Sequence, residues 1–407
     1  MNYRIYLFED GGVDNFLPLV WVRPFLDLRL GIVTLFEKWE NRMGRIEGLI
    51  VREYLKDYTK SLYPDCNVNF VNNGTYFFLN ARLDPYSLPK DVFDLRPGEG
   101  FKTQDGDVVI FALEIKEKIT DPLLESLLKS VSAWRNVENL FFFRDLSELV
   151  KLNESHLKAD FERFYSYYNV KIPPDLRASG EMLYIHEEAE IDPFVVIDSS
   201  KGPVIIEKNA KIMSFVFIEG PAFIGMNSLV KPFTKIFGST TIGPVCKVAG
   251  EIEATIFHSY SNKQHDGFIG HSYVLPWVNL GADTVTSDLK NNYSTVKLKY
   301  CSKEWDTKSQ FLGTFFCDHV KTGINTMLTS GTIIGVFSNV FGGGYMPKFV
   351  PSFYWGGQEP FKVYELDKAL ETARKMMARR GVEMSSTYQE LVKKVFDLTE
   401  RERACFE

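Results

Sequence analysis

The chain has 407 residues, 45% of them hydrophobic and 25% charged, with a formal net charge of −6. This balance excludes a disordered or fibrous chain and points to two or three structural units. The mild acidity, with no long Lys/Arg run, argues against nucleic acid or an anionic membrane as the main partner.

The opening segment lacks a basic stretch followed by an apolar core, and nowhere do 18 apolar residues follow one another. No signal peptide and no membrane insertion are therefore expected, and a cytoplasmic location is. Cys66, Cys246, Cys301, Cys317 and Cys405 are scattered without metal-type spacing, so free thiols are expected.

Tyr3–Phe8 reads as a short strand ending in the turn Glu9-Asp10-Gly11-Gly12. A helix is expected over Thr34–Met43, with apolar residues at Leu35, Phe36, Trp39 and Met43 and Gly44 as its cap. Strands are expected at Gly48–Val51, Asn67–Val71, Thr75–Leu79 and Val108–Leu113, and helices at Arg52–Leu62, Asp121–Val131 and Ser147–Tyr168. Strands alternating with helices predict an α/β sheet of doubly wound type, Rossmann-like in layout, over residues 1–172. Ligands of such sheets gather at the carboxyl ends of strands, here the loops after Phe8 and Leu79. Pro173-Pro174 cannot continue a helix and is read as the hinge to the next unit.

Beyond it the apolar pattern has a period of six. Ile185, Ile191 and Ile197 are followed, after a slip at Ser199–Gly202, by Ile206, Ile212, Ile218, Ile224, Val230, Ile236, Ile242 and Val248. Neither a 3.6-residue helix nor an alternating strand explains a strict six, whereas stacked rungs of a parallel β-helix do. The beat is lost after Val248 and returns at Ile269, Val274, Leu280 and Thr286. It is lost again between Ser287 and Gln310, then resumes from Phe316 to Val340. A hexapeptide β-helix over 180–345 with two excursions is expected. It is followed over 346–407 by an aromatic, Gly-rich loop and C-terminal helices, in which Ala369, Ala373, Met376 and Met377 form a packing face.

Chemistry is sought at the excursions, since insertions in a solenoid often carry binding. His258, His265 and His271 lie within 14 residues at the first one. A neutral imidazole there suits a general base, or the three together suit a zinc site, although their spacing matches no compact zinc motif.

The run HDGFIGHSYVLPWVNLGADTVT, His265 to Thr286, resembles the acetyltransferase segment of the bifunctional N-acetylglucosamine-1-phosphate uridylyltransferase/glucosamine-1-phosphate acetyltransferase family. The segments FLPLVWVRPFLDLRLGIVTLFEKW, DLKNNYS and HVKTGINTMLTSGTIIG resemble a shorter bacterial branch described as sugar nucleotidyltransferases. The resemblance implies a left-handed β-helix, a homotrimer and a transferase with two activities. These are acetyl transfer from acetyl-CoA to an amino-sugar 1-phosphate, and nucleotidyl transfer from an NTP with Mg²⁺, giving a nucleotide sugar such as UDP-N-acetylglucosamine.

Carried over by position, His265 falls on the family's general base, Asn279 on a sugar contact and Ala282 on a backbone contact to CoA. Asp288, where the family has Asn, is a candidate to orient His265. Phe268 replaces a tyrosine on the substrate side. Lys263 is placed with the substrate phosphates, and Lys321 and Asn325 with the acyl-CoA. In the first unit Gly11, Gly12, Arg23, Arg29, Lys38, Asn80 and Arg82 are the candidates for nucleotide and sugar phosphate. Asp84 is the nearest carboxylate for the metal. Phe25 stands where the family's lysine follows Arg-Pro, and Leu79-Asn80-Ala81-Arg82 replaces its Gly-Asp metal motif. An acetyltransferase with a degenerate first unit, a non-catalytic nucleotide-sugar-binding scaffold and a metal-dependent β-helix hydratase are the rivals.

Overall fold

A computed structural model describes residues 4–121, 124–166, 176–357 and 362–405. Pro173-Pro174, the expected hinge, lies outside the described residues. The chain divides into two compact units. One comprises residues 1–28, 34–146 and 386–391; the other comprises 29–33, 147–385 and 392–407.

The first unit is built on a seven-stranded sheet. In spatial order its strands are Ala133–Asn136, Glu99–Lys102, Val108–Ile115, Gly74–Asn80, Ile5–Phe8, Ile46–Ile50 and Asn67–Val68. Ile5–Phe8 pairs in parallel with both Ile46–Ile50 and Gly74–Asn80. Val108–Ile115 runs antiparallel to its two neighbours, so the sheet is mixed where alternation alone suggested parallel strands. One face buries Tyr6, Phe8, Phe78 and Phe111, with the Phe78 and Phe111 rings stacked 4.8 Å apart. Each such ring contributes roughly 1.5–3 kcal/mol by leaving water. The helix Leu35–Met43 begins at a capping box: Thr34 Oγ1 accepts from the Glu37 N–H, and the Glu37 carboxylate accepts from the Thr34 N–H. Gly44 closes it with φ +79°, a conformation that costs a side-chain-bearing residue more.

The second unit is a parallel β-helix. Ladders of six, nine and five short strands run through its described residues, the nine-stranded one from Leu183–Ile185 to Phe349–Val350. Parallel stacking at this repeat is consistent with the left-handed coil expected. Ile212, Ile218, Ile224, Val230, Ile236 and Ile242 are wholly buried along the axis, one per rung. The corners between rungs require positive φ, and bulky residues adopt it: 68° at Phe194, 64° at Phe215 and 63° at Phe233. Their rings stack at 5.1 Å from one coil to the next, which offsets part of the strain.

Two features differ from the sequence reading. The first excursion is not an excursion. Ile252 stacks between Ile236 and Ile269, Phe257 between Ile242 and Val274, and Lys263 pairs with Val248. Residues 249–268 are a full coil with shorter steps, and its third axial position is a lysine, so an apolar period could not register it. Likewise Phe349–Val350 and Tyr354–Gly356 lie inside the expected C-terminal loop yet stack as a further coil on Ile333–Ile334 and Asn339–Val340. The second excursion is real: residues 287–310 leave the ladder and form the hairpin Lys297–Tyr300/Lys303–Asp306.

The helix Asn153–Phe164 falls in the β-helical unit. Its polar face is a clamp: Asn153 accepts from the Gly31 N–H at 2.8 Å and Asp160 from the Ile32 N–H at 2.7 Å. Asn153 also donates to Ser239 O at 2.7 Å. The C-terminal helices are Leu366–Ala378, Ser386–Leu398 and Glu400–Ala404; Ala369, Ala373 and Met377 are buried, while Met376 is half-buried. All five cysteines are free.

Candidate functional sites

In the first unit, parallel pairing sets Phe8 beside Asn80, so the loops that follow them meet. Asp10 caps the short helix Gly11–Phe16, accepting from the Gly12 N–H at 3.0 Å. Asn80 donates to Asp10 Oδ2 at 2.7 Å and to Val108 O at 2.9 Å. The Arg82 guanidinium closes over the loop: Nε meets Asp10 Oδ1 at 2.6 Å and Nη2 meets Asp10 Oδ2 at 2.7 Å and Asp107 Oδ1 at 2.9 Å. A Cβ at Gly12 would collide with that guanidinium, so the glycine is required for its approach. Burial pushes the Asp10 carboxyl upward, but Arg82, Asn80 and the Gly12 N–H outweigh it and hold it below the ordinary range.

The structure thus brings together Gly11, Gly12, Asn80 and Arg82, and adds Asp10 and Asp107, which the sequence reading passed over. Asp10 was legible only as a turn residue; the register of two strands makes it part of a site. The other candidates are engaged elsewhere. Arg23 pairs with Asp27 within its own segment. Arg29, in the second unit, donates through Nε to His258 O at 3.0 Å and also to Ile32 O. Lys38 is buried with its ammonium 5.0 Å over the Tyr86 ring.

Asp84 accepts from the Tyr86 N–H at 2.9 Å in its own turn. Among the described residues no three His, Cys, Asp or Glu side chains converge. Asp10 and Asp107 already hold an arginine. These residues do not fit a resident Mg²⁺.

In the second unit, His265 sits exposed on the turn between Asn262–Lys263 and Phe268–Gly270. Its backbone is pinned from below: the Lys263 ammonium, at the end of a wholly buried side chain, donates to the carbonyls of His265 and Asp266. Burial pulls the Lys263 ammonium down to about 8, with Asp266 and Asp283 opposing. Asn279 lies on the next rung, in register with Asn262 on one side and Lys321 on the other, and accepts from Asn262 Nδ2 at 3.4 Å. Ala282 O accepts from the Asn325 N–H at 2.9 Å, joining those two coils. Phe268 is half-buried, and Lys321 donates to His319 O at 2.9 Å.

Asp288 does not reach His265 as expected. Its Oδ2 lies 2.8 Å from Nδ1 of His271, whose ring stacks on Phe311 at 5.2 Å. A Cβ at Gly270 would strike the Asp288 carboxylate, so this dyad depends on that glycine. The three histidines do not converge as a zinc set: His258 Nδ1 meets Ser259 Oγ at 3.0 Å, while His271 is committed to Asp288.

The position of Lys263 leads to a stability prediction. A lysine whose folded pKa lies near 8, against an ordinary 10.5, carries its full penalty below pH 8 and loses it as pH rises to 10.5. Lys263→Met is therefore expected to gain most over the parent protein below pH 8. That advantage should shrink by roughly 3 kcal/mol by pH 10.5, at about 1.4 kcal/mol per unit. Paired urea unfolding curves at the two pH values check it; a constant difference would refute it.

In chain order, then, an α/β unit precedes a parallel β-helix that carries an exposed, backbone-pinned histidine. Residues 5–167 match the sugar nucleotidyl transferase family. Over 169 residues the chain is 32% identical to a bifunctional sugar-1-phosphate nucleotidylyltransferase/acetyltransferase of Sulfurisphaera tokodaii, a match covering 40% of each chain. It is 28% identical over 203 residues to the bifunctional protein GlmU of Methanocaldococcus jannaschii, covering 47% of this chain and 48% of that one. Against GlmU of Thermotoga maritima it is 25% identical over 302 residues, covering 71% and 60%. Its homologues are thus bifunctional sugar-1-phosphate transferases, and the chain spans 40 to 60% of the length of these three. Among the described residues no helix is long and apolar enough to cross a membrane.

Proposed function

We propose that the β-helical unit transfers an acetyl group from acetyl-CoA to the amine of an amino-sugar 1-phosphate, and that the first unit serves nucleotidyl transfer to the same sugar phosphate. The observation that carries the acetyl half is the exposed imidazole of His265 on a turn whose two carbonyls are gripped by Lys263. An imidazole held on a fixed backbone and open to solvent suits a base that must meet an incoming amine. The amine nitrogen attacks the thioester carbonyl carbon, and a C–N bond forms while His265 accepts the proton. The tetrahedral intermediate then expels the CoA thiolate, which takes up a proton. Asn279, one rung away, is the candidate to hold the sugar.

His271 is the second reading for the base, favoured by a specific contact. A carboxylate accepts, so a neutral His271 ring that turns its Nδ1–H to Asp288 leaves Nε2 as the acceptor. For the first unit, the Arg82 cluster faces the position where sheet ligands gather. With Asp10 and Asp107 committed, Mg²⁺ belongs to the substrate side, arriving with the triphosphate. A trimer and a cytoplasmic location are part of this proposal.

The test is incubation of the full chain with Mg²⁺, acetyl-CoA and a panel of hexosamine 1-phosphates, with and without each NTP. CoA and pyrophosphate are followed separately. CoA release that requires an amino-sugar 1-phosphate is expected, with pyrophosphate appearing only with one NTP. No CoA release with any acceptor would refute the acetyl half, and no pyrophosphate with any NTP would refute the nucleotidyl half.

A further inference from the structure

A cleft of about 350 Å³ opens beside the third ladder of the β-helix, under the end of the helix Leu366–Ala378. Five cations line it: Lys247, Lys321, Lys375, Arg379 and Arg380. Among the described residues no carboxylate does. Lys375 pairs with Glu371 at 2.6 Å on its own helix, Arg380 donates to Asn262 Oδ1, and Lys321 donates to a backbone carbonyl. Lys247 and Arg379 show no side-chain partner among the described residues. Burial lowers the Lys247 ammonium, and Arg380, Arg379 and Lys231 lower it further by repulsion. Burial alone brings Lys321 down to about 8.

Three of these cations complement the negative end of the helix dipole, the ordinary reason for Lys and Arg at that position. That reason does not extend to Lys247 and Lys321, which come from the β-helix. Those two stand on one ladder, with Lys247 in register with Asn262, Asn262 with Asn279, and Asn279 with Lys321. At roughly 4.8 Å per rung, two ammonium-bearing positions bracket two amides over about 14 Å. Apart from Lys375, paired with Glu371, these like charges lie within a screening length with no carboxylate lining the cleft among the described residues, and they raise each other's free energy until an anion joins them.

We propose that this cleft is a binding site for an extended ligand carrying two or more phosphates, of nucleoside-diphosphate class. Its amides bond the sugar, and its lysines and arginines meet the phosphates. With Lys375 balanced by Glu371, a single phosphate monoester, carrying up to about two negative charges, would leave about two of the other four cations unbalanced. The inference rests on the proposed transfer, to whose acyl donor it gives an anion site, and it is tested by binding, independent of turnover. The same chemistry has two sources, the 3′-phospho-ADP of CoA and a nucleotide sugar.

Calorimetric titration of the full chain with orthophosphate, pyrophosphate, ADP, CoA, UDP and UDP-hexose tests it. Pyrophosphate and the nucleotides are expected to bind at least about 10-fold more tightly than orthophosphate. Arg379→Glu and, separately, Lys247→Gln are expected to weaken them by about 5- to 10-fold or more with unchanged melting, and added salt to weaken them further. CoA tighter than UDP-hexose assigns the site to the acyl donor; the reverse assigns it to a nucleotide sugar. Orthophosphate binding as tightly as pyrophosphate, or both variants binding like the parent, overturns the proposal.

Discussion

His265→Ala is expected to lower acetyl transfer by about 10²–10⁴-fold, the usual contribution of a positioned general base, with no change in unfolding. The side chain is exposed and forms none of the rung contacts, while the backbone carbonyl that Lys263 holds is kept by alanine. The loss should therefore fall on kcat and kcat/KM together, because proton removal is made only in the transition state. His271→Ala and Asp288→Asn are the informative controls. If they cause the large loss and His265→Ala does not, the base is the dyad and the assignment of His265 fails. Undiminished rates in all three variants would remove both imidazoles from the mechanism.

Arg82→Ala is expected to destabilise the first unit by about 3–5 kcal/mol, because it leaves the Asp10 carboxylate without a cation, while Asp107 keeps its pair with Arg144. The arginine side chain is 3% exposed, whereas Asp10 and Asp107 keep 19% and 15%, which places the effect toward the lower end. Arg82→Lys keeps the charge without the fork that meets both carboxylates, so a partial recovery is expected. The pH dependence has a definite sign. The folded Asp10 carboxyl lies below its ordinary range, so its contribution is complete above the unfolded pKa near 4 and is lost as pH falls through the folded value. The gap between the parent protein and Arg82→Ala should close below about pH 4. Urea unfolding of the full chain across pH 3–7 measures it, and a gap independent of pH would show that Arg82 acts through packing alone.

The β-helix was legible because one aliphatic per six residues is demanded by the fold and by little else. The ladder from Ile206 to Val248 could be counted before any coordinate was known. What escaped were the rungs whose axial residue is not aliphatic or whose spacing is short. Residues 249–268 looked like an insertion only because Lys263 occupies an axial position and two steps contract. Phe349–Val350 escaped because Gly and Pro around it signal a loop. In the first unit, strand and helix order followed from periodicity, whereas the antiparallel run of Val108–Ile115 depends on which neighbour it meets.

By itself, then, the sequence determined the repeat, the α/β-then-β-helix order and the cluster of His258, His265 and His271 as the place to look for a base, since these depend on spacing along the chain. Only the tertiary structure decided which charges share a site. It paired Asp288 with His271, spent Arg29 on backbone carbonyls, closed Arg82 over Asp10 and Asp107, and set Lys247 and Lys321 on one ladder beneath Arg379 and Arg380. The physical reason is common to all four. Coulomb and hydrogen-bond energies depend on distances of 3–5 Å in space. Residues 17 and 72 positions apart, as in His271–Asp288 and Asp10–Arg82, acquire such distances only when rungs stack and strands choose their neighbours, and the same stacking brings Lys247 and Lys321 to within about 14 Å.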